Sequence, residues 1–156
     1  MKAMKENIYC AHWEGPYEWD SYREHQVTEH VLYAIYGSHH LYGRDVLLYI
    51  GKTSSGIKSR MREHDRWVAD EYDTMKVRFA SVGIFIDWDD WNDGERYPKA
   101  SPPIVNAIEA LLIYAHQPAY NSQSLSSFPT ARGFRILNTG RLGHLLPEVS
   151  YLYYEL

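Results

Sequence analysis

One cysteine, Cys10, stands in a chain of 156 residues. No intrachain disulfide can form, which excludes disulfide-stapled secreted scaffolds and metal centres built wholly from cysteine. No apolar run approaches the roughly 20 residues that a membrane-spanning helix needs. The opening Met-Lys-Ala-Met-Lys-Glu is followed by no apolar signal segment, so a reducing cytoplasm is the expected compartment. An excess of basic residues is missing too: 16 Lys and Arg face 20 Asp and Glu, a formal charge of −4. A passive, sequence-blind DNA coat is strongly basic because phosphate neutralisation drives its binding, and the acidity argues against that class. The chain also lacks a Cys-x-x-Cys pair, a phosphate-binding glycine loop and a Gly-x-Ser-x-Gly nucleophile elbow.

What is present fits one folded domain. Hydrophobic residues make up 45% and charged residues 23%, against wholesale disorder. The length is enough to bury a core without covalent staples. Aromatics are abundant, with 14 Tyr, 5 Trp and 4 Phe. Such rings fill cores, stack on bases or take part in chemistry. Charge is segregated along the chain. Over residues 44–66, Arg44, Lys52, Lys58, Arg60, Arg62 and Arg66 outnumber Asp45, Glu63 and Asp65. Over 87–95, Asp87, Asp89, Asp90, Asp93 and Glu95 meet no base, which reads as a solvated acidic loop. A local basic face can therefore meet nucleic acid.

Hydrophobic patterning predicts the elements. Residues 1–29 carry Trp13, Tyr17, Trp19 and Tyr22 around a Gly15-Pro16 turn, and read as an irregular aromatic arm with a short strand at Ile8–His12. Val31–Tyr36 and Val46–Ile50 are β-rich runs joined by a Gly-bearing connection, which suggests a hairpin. From Ile57, apolar residues recur at Met61, Val68 and Tyr72, a helical spacing behind a Thr-Ser-Ser-Gly start. Lys76–Ile86 alternates as a third strand. Ser101-Pro102 opens a second helix with the stripe Ile104, Ile108, Leu111, Leu112 and Ala115, which must end before Pro118. Residues after Asn121 read as a Ser- and Gly-rich tail, with a last strand near Val149–Tyr154. The expected architecture is α/β (α+β): a small three-stranded sheet flanked by helices in the order β-β-α-β-α. Its core spans 30–121, between aromatic extensions at 1–29 and 122–156.

Polar residues fall at telling places in this pattern. A tyrosine ends the first strand in Ala34-Ile35-Tyr36, and Tyr49-Ile50-Gly51-Lys52 ends the second. Arg60 and His64 lie four apart on the first helix, so they share a face. Glu109 lies on the second helix beside its apolar stripe, and Asn121 follows that helix. This order resembles the GIY-YIG nuclease superfamily of excision-repair nucleases, homing endonucleases and some restriction enzymes. The YIG triplet is intact and followed by Lys. In the first triplet Ala34 stands where Gly is usual.

The resemblance implies a divalent-metal-dependent endonuclease that hydrolyses DNA phosphodiester bonds. Glu109 would hold one Mg2+ or Mn2+, hard ions suited to a single carboxylate, several waters and a substrate phosphate. Arg60 offers a planar, permanently charged fork for phosphate oxygens. His64 would relay a proton. One of Tyr36 and Tyr49 would activate the attacking water, with Tyr36 the expected activator and Tyr49 positioning water or phosphate. Lys52 would be a second cation, and Asn121 would support the site through hydrogen bonds. Arg62, Arg66, Arg132, Arg135 and Arg141 are candidates for contacts to the DNA backbone. One site cuts one strand, so a double-strand cut implies a homodimer, a partner protein or sequential nicking. The competing expectation is a nucleic-acid or protein binding module with little or no catalysis.

Overall fold

The computed structural model describes residues 6–24, 31–54, 57–71, 74–89, 98–126 and 133–154. Its centre is a mixed sheet of six strands: β1 (Asn7–Glu18), β2 (Leu32–His39), β3 (Gly43–Lys52), β4 (Lys76–Ile84), β5 (Phe134–Gly140) and β6 (Glu148–Ser150). The spatial order is β3-β2-β4-β1-β5-β6. Every neighbouring pair is antiparallel except β1 and β5. The expectation of a small three-stranded sheet is thereby overturned. The strands expected near 31–36, 46–50 and 76–86 occupy half of a larger sheet, continued by β1, β5 and β6.

The largest departure is β1. The short strand expected at Ile8–His12 is the first part of a twelve-residue interior strand between β4 and β5, so the rest of the segment to Glu18 is not an irregular arm. Tyr9, Ala11 and Trp13 enter the core on one face, while on the other Cys10 is buried and His12 is exposed. Trp13 is accommodated because its indole N–H donates to Asn138 Oδ1 at 2.9 Å. Around Gly15, at φ 115°, the register with β4 shifts between Glu14 and Tyr17.

Two α-helices cover opposite faces. Helix α1 (Ile57–Ala69) buries Met61 and Val68 against Tyr33, Ile35, Leu48, Val77 and Phe79. Helix α2 (Pro102–His116) buries Val105, Ile108, Leu111 and Leu112 against Leu32, Ala34, Tyr36, Ile50 and the β1 side chains Ala11 and Trp13. The α2 sequence accounts for its ends. Ser101 is extended and prolines occupy the first turn, where no intrahelical N–H is needed. Gln117 closes the helix in the left-handed region, its N–H bonded to Ile113 O at 2.9 Å. Among the described residues no helix is long and apolar enough to cross a membrane.

Alternation along β2 decides which side chains can meet. Tyr33 and Ile35 face α1, whereas Leu32, Ala34 and Tyr36 face α2. On β3 the register shifts, with Ile35 opposite Tyr49 and Tyr36 opposite Leu47. The extra residue lets adjacent Leu48 and Tyr49 both pack on the α1 side.

Candidate active site

At the edge strand β3, the two helices and the chain after α2 enclose a cavity of about 440 Å³. Strand β3 contributes Tyr49 and Lys52, α1 contributes Arg60 and Glu63, and α2 contributes Glu109. Asn121 and the three residues after it form the remaining wall. The residues brought together are Tyr49, Lys52, Arg60, Glu109 and Asn121, with His64 directly behind Tyr49 at 4.8 Å between ring centroids.

Behind the cavity lies a hydrogen-bonded chain with a fixed direction. The Trp67 indole N–H donates to His64 Nδ1 at 2.8 Å. An indole can only donate, so Nδ1 accepts and the neutral ring carries its proton on Nε2. His64 Nε2 lies 2.7 Å from Tyr33 Oη and therefore donates to it. Arg60 Nε donates to the same oxygen at 3.0 Å. Two donors are thus aimed at the Tyr33 oxygen, and the Tyr33 ring stacks on Tyr49 at 6.0 Å between centroids. Donation runs from Trp67 through His64 to Tyr33, directly behind the cavity residue Tyr49.

Burial sets the protonation of this chain. His64 is only 7% exposed, and desolvation, reinforced by Arg60, pushes its pKa down to about 4. It is neutral at physiological pH. Burial also drives the Tyr33 phenol above its ordinary value, aided by Tyr49 and only partly opposed by Arg60. Tyr33 therefore stays protonated and acts as a donor. Burial opposes the Arg60 charge, but Tyr33, Glu63 and Tyr49 outweigh it and its pKa lies above the usual guanidinium value.

The other wall is a carboxylate with incomplete compensation. Glu109 is pushed up by burial, against the opposing effects of Lys52, Arg60 and the Lys52 backbone N–H. Lys52 Nζ lies 4.0 Å from Glu109 Oε2 and donates to Asn106 Oδ1 one turn earlier on α2. A buried carboxylate that remains under-compensated gains from a further cation. No cluster of three or more His, Cys, Asp or Glu exists among the described residues. With Glu63 paired to Arg60, Glu109 is the carboxylate left to a metal, and an oxygen ligand of this kind fits a hard ion that keeps most of its waters, and not a soft, thiolate- or imidazole-seeking metal.

Asn121 serves as a brace. Its Oδ1 accepts the Ile50 N–H and its Nδ2 donates to the Ile50 carbonyl, both at 2.9 Å. It thereby pairs with β3 as a further strand would and fixes the chain after α2 at the cavity rim.

Tyr36 is not brought to this cavity. It lies on the α2 face, donates from its hydroxyl to Leu142 O at 3.0 Å, and carries Arg78 over its ring at 5.1 Å. Burial pushes its pKa up to about 12. The tyrosine that joins Tyr49 is Tyr33, which the sequence reading passed over. Its signal was parity: residues three apart on a strand face opposite ways, and only one of Tyr33 and Tyr36 can share the Arg60 side.

The outlying arginines separate as well. Arg62 and Arg66 are exposed on α1 and do not line the cavity. Arg135 is bound to Glu6 at 2.8 Å and Glu148 at 2.7 Å, so it ties β5 to its neighbours and its charge is already matched. Arg141 is exposed, with its N–H bonded to Trp13 O at 2.9 Å and its carbonyl receiving Arg78. Arg132 and the acidic stretch 90–95 lie outside the described residues.

No family model, no curated protein and no solved structure matches the chain.

Proposed function

We propose that the chain is a divalent-metal-dependent endonuclease acting on DNA phosphodiester bonds, allied to the GIY-YIG nucleases by its site residues and not by its sheet, and working in the cytoplasm. One observation carries the reading. Arg60, Lys52 and Tyr49 share one cavity with Glu109, a carboxylate that its neighbours compensate only in part, while the second carboxylate there, Glu63, is paired with Arg60.

Phosphodiester hydrolysis needs stabilised phosphoryl charge, an activated water and help for the leaving oxygen. Arg60 holds Tyr33 with its Nε and Glu63 with its Nη1, and presents Nη2 to phosphate oxygens. Lys52 is a second cation on the same wall. Tyr49 orients water in the cavity, with the Tyr33 ring stacked behind it. His64, neutral and with its Nε2 proton donated to Tyr33, acts as a positioning residue that fixes Tyr33 and Arg60 behind Tyr49, and the proton of the attacking water leaves to solvent. Glu109 would hold the Mg2+ or Mn2+, which when bound supplies Lewis-acid stabilisation of phosphoryl oxygens and a more acidic water.

The test uses purified protein with supercoiled plasmid and with a flapped duplex, in Mg2+, Mn2+ or EDTA, beside Glu109→Ala. Metal-dependent cutting that the variant loses is the expected result. Equal cutting by Glu109→Ala would remove Glu109 from the site. An intact fold that cuts neither substrate would leave the binding-module reading in its place.

A further inference from the structure

Beside its charged residues the cavity has a stretch of lining of different character. Three consecutive residues, Ser122, Gln123 and Ser124, form it with hydroxyl and amide groups and no charge. The segment is braced at both ends by side-chain amides. At its start, Asn121 is locked to both polar backbone groups of Ile50. Beyond its end, Gln117 Nε2 donates to Leu125 O at 2.7 Å and to Tyr114 O at 2.8 Å, which ties the segment back to the end of α2. Two residues of this short stretch, Gln117 at φ 49° and Ser124 at φ 62°, sit in the left-handed region that side chains seldom adopt. Ser122 and Gln123 are exposed at the rim. The segment is a preformed lip, held while its side chains stay open to the cavity.

A neutral donor and acceptor wall is poorly matched to phosphate, which the Lys52 and Arg60 side already suits. It is well matched to a nucleobase edge. A glutamine amide offers one acceptor and two donors in a plane and pairs in bidentate fashion with adenine N6 and N7. We propose that the 122–124 lip reads the nucleotide flanking the scissile phosphate, with Gln123 hydrogen-bonding the base edge and the two serines its sugar or backbone. This inference rests on the nuclease reading for the phosphate at the charged residues.

The experiment is a binding assay in EDTA, so that no cleavage intervenes. Fluorescein-labelled single-stranded dA, dT and dC oligonucleotides of equal length are titrated with the wild-type protein, Gln123→Ala and Gln117→Gly. Glycine suits the left-handed position of residue 117, so the second variant frees the lip without burdening the helix end. Wild-type protein is expected to prefer dA. Gln123→Ala should lose that preference and weaken dA binding by about five- to a hundredfold, with dT and dC nearly unchanged. Gln117→Gly should weaken dA binding by a smaller factor, with its melting temperature maintained. Unchanged dA preference in Gln123→Ala would overturn the lip assignment while leaving the nuclease reading intact. An equal loss on all three oligonucleotides would also overturn it, because a general contact carries no base information. Failure of the wild-type protein to bind any oligonucleotide would overturn the lip assignment, and metal-dependent cutting of the plasmid would decide the nuclease reading separately.

Discussion

Gly51 lies opposite Tyr33 across the β2–β3 ladder, and the phenol occupies the space a side chain at 51 would need. A Cβ built on Gly51 overlaps Tyr33 Oη and Cζ and stands 2.8 Å from Tyr49 Cε1. The glycine of the Tyr-Ile-Gly triplet is thus a space requirement of the site. It lets one tyrosine lie across the strand to reach Arg60 and His64 while the other reaches the cavity.

Gly51→Ala should therefore displace Tyr33 from its two donors. Overpacking of this kind costs about 1–3 kcal/mol. Cleavage should fall by about a hundredfold, since a misplacement near 1 Å is worth that much in a positioned site. Circular dichroism and urea titration would measure the first effect and single-turnover cleavage the second. Wild-type turnover in a folded Gly51→Ala protein would break the link between Gly51 and the site.

The two β2 tyrosines should behave as opposites. Tyr33→Phe deletes the oxygen that gathers Arg60 and His64, and leaves the Arg60 Nε and His64 Nε2 donors without their acceptor. Turnover is expected to drop by two or more orders of magnitude, as for removal of a preorganised donor. Tyr36→Phe deletes one hydrogen bond to Leu142 O, remote from the cavity, at a cost of about 1 kcal/mol in stability and with cleavage maintained. Comparing kcat of the two variants on one plasmid substrate tests this. A reversed order would restore Tyr36 as the water activator.

The sequence makes some of this legible and hides the rest for physical reasons. Both helices announce themselves because each buries one stripe, as Met61 and Val68 or Ile108, Leu111 and Leu112 show. Tyr49, Arg60, His64, Glu109 and Asn121 are recognisable from order and spacing. Tyr33 is hidden because two tyrosines three residues apart look alike until the pleat separates them. Strand β1 is legible at Ile8–His12, but its continuation to Glu18 is hidden because Gly15-Pro16 interrupts it and reads as a turn. Strand β5 is hidden because Arg135 sits within it, a charge made tolerable only by Glu6 and Glu148, which are distant in sequence. Those carboxylates make the Arg135 side chain a structural tie between β5 and its neighbours.

Acid should destabilise the fold through His64. An unfolded histidine takes its proton near pH 6.5, whereas the buried ring resists it until about pH 4. The stabilisation is complete above pH 6.5 and is lost as the pH falls from there towards 4, on the order of 3 kcal/mol in all. His116, also held below its ordinary value by burial, acts in the same direction. Glu109, held above its ordinary value by burial, acts in the opposite sense at the lower end of that range. Melting temperatures at pH 7.5, 6 and 5 should show a steep decline for the wild-type chain and a shallower one for His64→Gln. Parallel declines would mean that His64 titrates normally in the fold.

The carboxylate on α2 separates stability from function in one substitution. Burial raises the Glu109 pKa despite Lys52 and Arg60, so ionising this group is a cost to the metal-free fold. Glu109→Gln keeps the shape and removes that cost, and Lys52 is exposed enough to be solvated without its partner, at 39%. The variant should melt at the wild-type temperature or slightly above it in EDTA. Millimolar Mg2+ or Mn2+ should then raise the melting temperature of the wild-type protein by mass action and leave Glu109→Gln unmoved. This readout does not depend on finding the right DNA. A metal shift of equal size in both proteins would place the ion elsewhere. A large drop in the EDTA melting temperature of the variant would instead show that Glu109 is a structural partner of Lys52, and that an ion pair holds this part of the cavity.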